Sequence, residues 1–455
     1  MVSQGKDDAM EGMEVAAQSV LKRVMEGTEN TAFKRGFRMG KLGLGLAGSY
    51  LGYQFQNLFS KEGKRAERKK FFNALAALQV REELQSLRGP IMKLGQTLSM
   101  QSHVLPEEVV KELTGLQLRA PAMHPTLARA QFKASCGKCP EEVFRVFAVE
   151  PFAAASLGQV HSAVTTAGEK VAVKVQYPAI RTAIENDFKL LRSISLPARL
   201  RNLAPAALIS ELEEGILLET DYINEGKNID FFREKLKPLS FVEVPNVFWS
   251  MTTNRVLTMS RVPGQPLSDF LTGRQPQQLR DLIGSRLMAL FSFQIHRVHA
   301  IHADPHPGNY LVHDDGRIGL VDFGCIKKFS PGFIRLIQDF EQPNWFSSKE
   351  TANRIARFIW GPKTANNPKV ARKLLAATRD LYDRIFTDQI VDFGDAEVLR
   401  KTVQVWTESI KNKAANPEFA FYGRAELGLY NVLHELRAKF VPRAVIASVE
   451  KVGST

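Results

Sequence analysis

The stretch HADPHPGNYLVHDDGRIGLVDFG, His302–Gly324, holds four aspartates and one asparagine around a hairpin pattern. YLVH and RIGLVD have the composition of short strands. Asp314, Asp315 and Gly316 lie between them and predict a tight turn, because Asp-Gly accommodates a positive φ. Pairing of the two strands brings the residues just outside them together. We therefore expect the chemistry of this stretch at the open end of a hairpin.

Three polar residues flank this hairpin at its open end. Asp304 and Asn309 precede the first strand and Asp322 ends the second, so antiparallel pairing predicts that all three converge. Carboxylate and amide oxygens are hard ligands that suit Mg²⁺, whose shell phosphate usually completes. Converging carboxylates also occur in glycosidases, but those sites need neither an asparagine nor a phosphate-binding lysine. The spacing predicts a magnesium and phosphate site.

A phosphate-binding pattern lies upstream of the hairpin. VAVK places Lys174 on a predicted strand, and AAASLGQV at 153–160 resembles the kinase loop G-x-G-x-x-G-x-V. Ala153 and Ala155 stand at the first two glycine positions, while Gly158 keeps the third. The order of loop, lysine, D-x-x-x-x-N and D-F-G matches that of kinases. The residues predicted to contact the nucleotide are Ala153, Ala154, Ala155, Ser156, Gly158, Val160 and Lys174.

Composition limits the class of protein. The 455 residues are 44% hydrophobic, which excludes a disordered or fibrous chain and allows two or three domains. The net charge of +13 predicts an anionic partner, either nucleic acid, a phosphorylated ligand or a membrane surface. Three cysteines cannot form a disulfide framework, and we interpret Cys136 and Cys139 as two small loop residues.

The N-terminal segment favours attachment to a membrane surface. Residues 42–60 carry no charge and are flanked by clusters of Lys and Arg, which attract anionic headgroups. A glycine-rich linker is the alternative interpretation. Gly48 and Gly52 have the spacing that allows close helix packing, which leaves a homodimer open. The first residues lack the order of a secretory signal and are too acidic for a transit peptide, which favours a bacterial origin.

The order of predicted elements divides the chain into four segments. Residues 1–60 are basic and glycine-rich, and residues 61–135 read as a small helical unit. Residues 136–262 are β-rich, with short strands from about Pro151 that include GQVHSAVT, EKVAVKVQ and RVLTMSRV. A turn at Ala167 and Gly168 predicts that the first two of these strands form a hairpin. Residues 263–455 are mainly helical outside the opening stretch. A β-rich lobe followed by a helical lobe predicts a two-lobed α+β fold.

Four motifs of the sequence together resemble the UbiB family of atypical protein-kinase-like proteins, also called AarF-domain-containing kinases. They are KLGQ with Lys93 and Gln96, the alanine-rich AAASLGQVH, ETDYINEGKN from Glu219, and HADPHPGN. The similarity runs from about Leu84 to Phe329. It implies a bilobal protein-kinase-like fold with an N-terminal helical extension carrying K-x-G-Q. It also implies binding of ATP or ADP with Mg²⁺, ATPase activity, and support of ubiquinone biosynthesis at a membrane.

The resemblance assigns roles to single residues. Lys174 would hold the α- and β-phosphates, and Asp304 stands at the position of the catalytic base. Asn309 and Asp322 stand at the positions of metal ligands. By sequence alone, three residues are candidates for the carboxylate partner of Lys174, namely Glu185, Glu213 and Glu225. The resemblance of the E-x-D-Y-x-x-E run favours Glu225.

A regulatory role is implied for the K-x-G-Q motif. Glu219 and Asp221 match the E-x-D of the family, which is expected to meet the K-x-G-Q helix. Lys93 and Gln96 would then be directed into the active site. That helix would occupy the space that an ordinary kinase gives to a peptide substrate.

Departures from ordinary kinases argue against protein substrates. Ala303 replaces the arginine of H-R-D, so no guanidinium is available there to pair with a phosphorylated activation loop. His306 stands where a lysine is usual, and a neutral imidazole compensates phosphate charge less well. After Gly324 the chain runs into a helical pattern without an A-P-E motif. Alanines in the phosphate loop also reduce backbone freedom, which favours slow γ-phosphate chemistry.

Three functions stay open at this point. A membrane-associated ATPase or small-molecule kinase acting on an isoprenoid quinone precursor is favoured by the intact lysine, asparagine and aspartates. A nucleotide-binding pseudokinase that scaffolds a quinone-biosynthetic complex is favoured by the occluding helix and the alanine loop. A kinase of soluble molecules such as aminoglycosides would not explain K-x-G-Q.

Partners and location follow from the same resemblance. We expect membrane lipids or lipid-like quinone precursors, and other ubiquinone-biosynthesis proteins, as partners, and no nucleic acid. The expected location is cytoplasmic and peripheral to the inner membrane in a bacterium, or the matrix side in a mitochondrion.

Overall fold

The computed structural model describes five stretches of the chain, residues 123–155, 157–193, 213–342, 345–411 and 416–451. Contacts divide the chain into two compact units. Unit 1 comprises residues up to Gly226 with Val247–Arg261, and unit 2 comprises Lys227–Asn246 with Val262–Thr455. The predicted boundary at 262 put Lys227–Asn246 in the β-rich lobe. This segment belongs to unit 2 because its short strand pairs there with a strand of the opening hairpin.

The regular elements follow one another in a β-rich and then a helical order. The strands are β1 Phe144–Ala155, β2 Gly158–Thr165, β3 Lys170–Gln176, β4 Val242–Glu243, β5 Val256–Ser260, β6 Gln265–Pro266, β7 Ala300–His302, β8 Tyr310–Val312, β9 Ile318–Leu320, β10 Ile326–Lys328, β11 Val391–Asp392 and β12 Lys439–Phe440. The helices are α1 Pro125–Cys136, α2 Pro140–Val143, α3 Ile180–Ser193, α4 Tyr222–Lys235, α5 Leu267–Thr272, α6 Gln277–Phe293, α7 Pro331–Glu341, α8 Lys349–Ala365, α9 Pro368–Ile385, α10 Ala396–Lys411, α11 Pro417–Leu436 and α12 Pro442–Lys451.

Unit 1 is built on an antiparallel sheet with the strand order β1-β2-β3-β5. The predicted β2–β3 hairpin is confirmed, and Gly168 in its turn has a φ of +95° that only glycine adopts readily. The valine-rich β3 is buried on both faces because it is central in the sheet. Phe132 of α1 packs against Phe144 over the same core, with ring centroids 5.8 Å apart. The described part of the predicted 61–135 unit thus packs in unit 1.

Strand β1 is longer than the sequence suggested. Short strands were expected from about Pro151, but β1 begins at Phe144 and pairs with β2 through register shifts on both sides of Pro151. The apolar alternation before Pro151 is weak, and Val146 and Val149 are exposed. Pairing with β2 therefore decides the conformation of this segment, because its local pattern does not.

Unit 2 contains the opening stretch on a sheet with the strand order β4-β9-β8-β6. The predicted antiparallel hairpin is confirmed as β8–β9, and Gly316 in its turn has a φ of +79°. Strands β7 and β10 form a separate antiparallel pair, so a short strand precedes the helix expected after Gly324. Helices α6 to α12 bury two large apolar clusters around these strands. A β-rich unit and a mainly helical unit confirm the α+β prediction.

The described helices give no sign of a bilayer span. None of them combines the length and the hydropathy that crossing a membrane requires. The uncharged stretch at 42–60, on which the membrane prediction rests, lies outside the described residues.

Candidate functional site

A buried ion pair in unit 1 joins β3 to α4. The Nζ of Lys174 lies 2.9 Å from each carboxylate oxygen of Glu225, and the two side chains are 5% and 1% exposed. Burial of two charges is costly, and their attraction offsets that cost only with good geometry. Glu225, the candidate that the resemblance favoured, is thus in contact with Lys174. Glu185 pairs instead with Arg181 of its own helix, at 3.3 Å.

Tyr222 lies against this ion pair and was missed by the sequence reasoning. Its ring centroid is 5.1 Å from the Nζ of Lys174, and the residue is fully buried. Its hydroxyl also limits the space at Gly158, where an added Cβ would lie 2.9 Å from the Tyr222 oxygen and 2.4 Å from the carbonyl oxygen of Val175. Only glycine fits at Gly158. The signal was available, because Tyr222 belongs to the E-x-D-Y-x-x-E run.

The alanine-rich segment forms the end of the β1–β2 hairpin. Ala153 pairs with Val160, and Ala155 pairs with Gly158. Ala153 and Ala154 are exposed, which leaves the backbone of this end accessible to a ligand. Of the residues predicted to contact the nucleotide, Ser156 lies outside the described residues. Lys174 lies on β3 and the others lie on the hairpin, and the nucleotide contacts of all of them stay predictions.

A hydrogen-bond chain supports this hairpin from inside unit 1. The N–H of Met123 donates to Oε1 of Gln159 at 2.8 Å, and Nε2 of Gln159 is 2.9 Å from Nε2 of His161. Nδ1 of His161 is 2.9 Å from the carbonyl oxygen of Ala148. A carbonyl only accepts, so Nδ1 of His161 carries the proton and Nε2 accepts from Gln159. Burial lowers the pKa of His161, which favours this neutral form.

The loop before β8 joins two of the predicted residues of unit 2. Nδ2 of Asn309 donates to Oδ2 of Asp304 at 3.0 Å and to the Asp304 carbonyl oxygen at 3.3 Å. A single 3₁₀ turn, Pro307–Asn309, supplies this geometry and follows directly from the HPGN sequence. Burial, followed by the charge of Asp304, raises the pKa of Tyr310 well above its usual value.

Asp322 follows β9 in a left-handed backbone conformation with a φ of +61°. Its carbonyl oxygen accepts a hydrogen bond from Nε2 of His302 at 2.6 Å, and its Oδ1 is 3.4 Å from the N–H of Gly324. The N–H of Val321 donates to the carbonyl oxygen of Asn309 at 2.9 Å, which ties the two ends of the hairpin together. The hairpin thus brings Asn309 and Asp322 to its open end.

Asn309 and Asp322 offer the oxygen atoms that the predicted Mg²⁺ site needs. The amide NH₂ of Asn309 donates to Asp304, so the side-chain oxygen of Asn309 is the atom suited to a cation. One amide and one carboxylate are too few for Mg²⁺ alone, and phosphate oxygens and water would complete an octahedral shell. Within the described ranges, no group of three or more His, Cys, Asp or Glu could hold a metal ion. The donor set fits Mg²⁺ that arrives with a nucleotide.

The residues that depart from ordinary kinases have structural roles here. Ala303 is fully buried between strands, and its N–H donates to the carbonyl oxygen of Cys325 at 3.0 Å. An arginine side chain would not fit in that position. Nδ1 of His306 accepts from the N–H of Gly308 at 3.0 Å and so caps the 3₁₀ turn. That nitrogen therefore carries no proton in this arrangement.

The predicted regulatory residues are only partly described. Oδ1 of Asp221 accepts from the N–H groups of Ile223 at 3.0 Å and Asn224 at 3.2 Å, so Asp221 caps α4, the helix that carries Glu225. Glu219 is half-buried just before it. Lys93 and Gln96 lie outside the described residues, and the contact of E-x-D with K-x-G-Q stays a prediction.

Comparison with known proteins identifies the family. The sequence model of the ABC1 atypical kinase-like domain matches residues 115–342, half of the chain. A probable protein kinase UbiB of Pseudomonas putida is 32% identical over 348 residues, which is 72% of this chain and 62% of that protein. The chloroplastic Activity of BC1 Complex Kinase 7 of Arabidopsis thaliana is 36% identical over 274 residues, which is 59% of this chain and 38% of that protein.

A solved structure supports the fold independently. Rv3197 of Mycobacterium tuberculosis, determined in complex with erythromycin, superposes with a TM-score of 0.57 at 25% identity and covers 87% of this chain and 98% of that one. The chain spans 38% to 62% of the length of the curated relatives named above. The kinase-like α+β fold predicted from the motifs is thereby confirmed. The chain belongs to the UbiB/ABC1 family of atypical kinase-like proteins.

Proposed function

We propose that this protein binds ATP with Mg²⁺ and either hydrolyses it or transfers its phosphoryl group to a small molecule, in support of ubiquinone biosynthesis at a membrane. The observation that carries the proposal is the Lys174–Glu225 ion pair, with both N–O distances at 2.9 Å and both side chains buried. Replacing a buried ion pair by apolar residues is often neutral or stabilising. Its presence in the core of unit 1 therefore indicates a role other than stability.

The chemistry assigned to each group follows from its type. Lys174 would neutralise α- and β-phosphate oxygens, with Glu225 fixing the direction of the ammonium group. Asn309 and Asp322 would hold Mg²⁺, which neutralises charge that develops on the phosphoryl oxygens. Asp304 would orient the attacking hydroxyl or water and accept its proton. In this scheme catalysis consists of positioning and charge neutralisation, as in other phosphoryl transfers.

A small acceptor or water is favoured over a protein substrate. After Gly324 the chain forms β10, and α7 begins at Pro331, with Ser330 capping the helix through a bond to Phe333 at 3.2 Å. This short connection has no segment on which a peptide could extend. The buried Ala303 likewise offers no guanidinium for a phosphorylated loop.

A membrane setting is supported by charge and by relatives. The net charge of +13 favours anionic lipid surfaces. Relatives named UbiB connect the family to the ubiquinone pathway by resemblance. Complementation of a bacterial strain lacking its UbiB protein, scored as ubiquinone content, tests this part of the proposal.

Phosphate release from ATP tests the catalytic part. Wild-type protein is expected to need Mg²⁺ and to respond to anionic liposomes. Asp322→Asn should lower turnover by about two orders of magnitude or more, because a bound metal contributes several kcal/mol of charge stabilisation. Asp314→Asn is the matched control, since Asp314 is exposed in the turn of the same hairpin.

Two results would change the assignment. If wild type and Asp322→Asn release phosphate at the same background rate under every condition, the catalytic role must be abandoned. Binding of Mg²⁺ and ATP by wild type without any turnover would favour the pseudokinase scaffold.

A further inference from the structure

Helix α11 lies along the loop that carries Asp304 and the segment that follows Asp322. Near its start, Glu418 accepts hydrogen bonds from the N–H of Ser330 at 2.6 Å and from its hydroxyl at 2.8 Å. Further along, a Cβ added at Gly428 would lie 2.3 Å from the Cβ of Pro305, so only glycine allows this approach. Helix α11 lies beyond residue 342, where the match to the family's domain ends.

Arg424, between these two contacts, connects both chain segments at once. Its Nη2 donates to the carbonyl oxygen of Ala303 and lies 3.5 Å from Sγ of Cys325. Ala303 and Cys325 are themselves paired through the Ala303 N–H. Ala303 immediately precedes Asp304, and Cys325 follows the D-F-G sequence. One guanidinium therefore contacts the neighbour of the predicted base and Cys325, the residue between D-F-G and β10.

The surroundings of Arg424 indicate that its charge is not used in an ion pair. Among the residues that the structure describes, no Asp or Glu pairs with it. Its guanidinium carbon lies 5.6 Å from the ring centroid of Phe421, and its Nε is buried without a partner. The hydrogen bond from Arg424 to the Ala303 carbonyl is therefore a strong one, because its donor is ionised and half-buried.

We propose that Arg424 is a positioning residue that fixes the Ala303 carbonyl and thereby the carboxylate of Asp304 for catalysis. The H-R-D arginine is absent at Ala303, and this guanidinium reaches the same loop from α11. The role rests on the proposed ATP chemistry, since it positions a predicted catalytic group. The Arg424 guanidinium holds the Asp304 loop in place by a hydrogen bond, so no phosphorylated residue is needed to order that loop.

Kinetics of Arg424→Met, Arg424→Lys and Arg400→Met test the positioning role. Arg400 is the matched control, an exposed arginine on α10 that pairs with Glu397 at 2.7 Å. Arg424→Met should lower kcat for Mg²⁺-dependent ATP turnover by about tenfold to a hundredfold, the effect of a small misplacement of a reacting group. The KM for ATP should not change. Arg424→Lys keeps a cationic donor and should recover most of the loss.

Hydrogen–deuterium exchange supplies a second readout that does not depend on activity. In Arg424→Met, exchange should accelerate at the amides of Ala303 and Val321, whose N–H groups donate to the carbonyl oxygens of Cys325 and Asn309. Exchange in the β2–β3 hairpin of unit 1 should stay at the wild-type rate. If wild type shows no ATP turnover, the proposed function fails while the exchange comparison still decides the role of Arg424.

Three results would overturn the positioning role. The first is an Arg424→Met protein with kcat and exchange indistinguishable from Arg400→Met. The second is a kcat of Arg424→Lys as low as that of Arg424→Met. The third is an Arg424→Met protein in which KM for ATP rises by the same factor by which kcat falls. If Arg424→Met does not fold, Arg424→Gln, which keeps a neutral N–H donor, replaces it in both measurements.

Discussion

Lys174 of unit 1 is held by a buried side-chain ion pair, whereas Asp322 of unit 2 is held by its own backbone. The Lys174–Glu225 pair has a partner 51 residues away and almost no exposure. Asp322 has a φ of +61° and a carbonyl oxygen bonded to His302 at 2.6 Å. In the first arrangement the unfavourable free energy comes from desolvation of two charges. In the second it comes from a left-handed backbone conformation. The two halves should therefore respond differently to substitution.

The largest effect is expected from breaking the ion pair. Glu225→Gln leaves the ammonium of Lys174 buried without its counter-charge, so the free energy of unfolding should fall by about 3–5 kcal/mol. Urea unfolding measures the change. Glu185→Gln is the control, because the Glu185–Arg181 pair is exposed and contributes only about 0–1 kcal/mol.

The double variant Lys174→Met/Glu225→Leu sharpens the same test. It should restore most of the lost stability, since apolar replacements of buried ion pairs are well tolerated. The double variant should nevertheless not bind ATP in calorimetry, because it lacks the ammonium group of Lys174. Equal destabilisation by Glu225→Gln and Glu185→Gln would contradict the account of unit 1.

A smaller effect is expected from the backbone of Asp322. Asp322→Gly should be more stable than Asp322→Ala by about 1–2 kcal/mol, because alanine resists the left-handed conformation and glycine does not. Both variants should lose Mg²⁺-dependent turnover. Urea unfolding of the pair measures the difference. At Asp314, whose φ is not positive, glycine should have no such advantage, and a similar advantage there would remove the case for strain at Asp322.

The smallest effect is a pH dependence that originates in unit 1. Burial lowers the pKa of His161 from its ordinary value of 6.5, so the folded state binds fewer protons at this residue than the unfolded state. Its contribution to stability is present above pH 6.5 and is lost as the pH falls through the lower pKa of the folded state. His161→Gln should flatten the dependence of unfolding free energy on pH in that range. Identical slopes for both proteins would show that His161 does not titrate on unfolding.

The opening hairpin was predictable because its signals are local. Asp-Gly in the turn and two short apolar runs specify β8–β9, and the hairpin brings Asn309 and Asp322 to one end. The β2–β3 hairpin was predictable for the same reason. Strand β1 before Pro151 was not, because exposed valines and weak alternation leave its conformation to pairing with β2.

Residue types alone reduced the candidates for the carboxylate partner of Lys174 to three glutamates, but they did not identify which one pairs with it. Three glutamates were compatible with the sequence, and the resemblance favoured one of them. The packing of α4 against β3 brings Glu225 to 2.9 Å from Lys174. Position 158, at the start of β2, requires a glycine because Tyr222 and Val175 fill the space beside it. Arg424 had no sequence signal, since it lies 121 residues from the carbonyl that it contacts.

The sequence by itself determined the kinase-like order of motifs, the α+β class and the kinds of group available to a phosphate and a metal. Spacing along the chain carries this information because turns and strands form from neighbouring residues. Only the tertiary structure decided which glutamate meets Lys174, that Asp322 is strained, and that α11 supports the loop of Asp304 through Arg424. These features depend on contacts between residues far apart in sequence, whose energies come from burial and shape that no local pattern records.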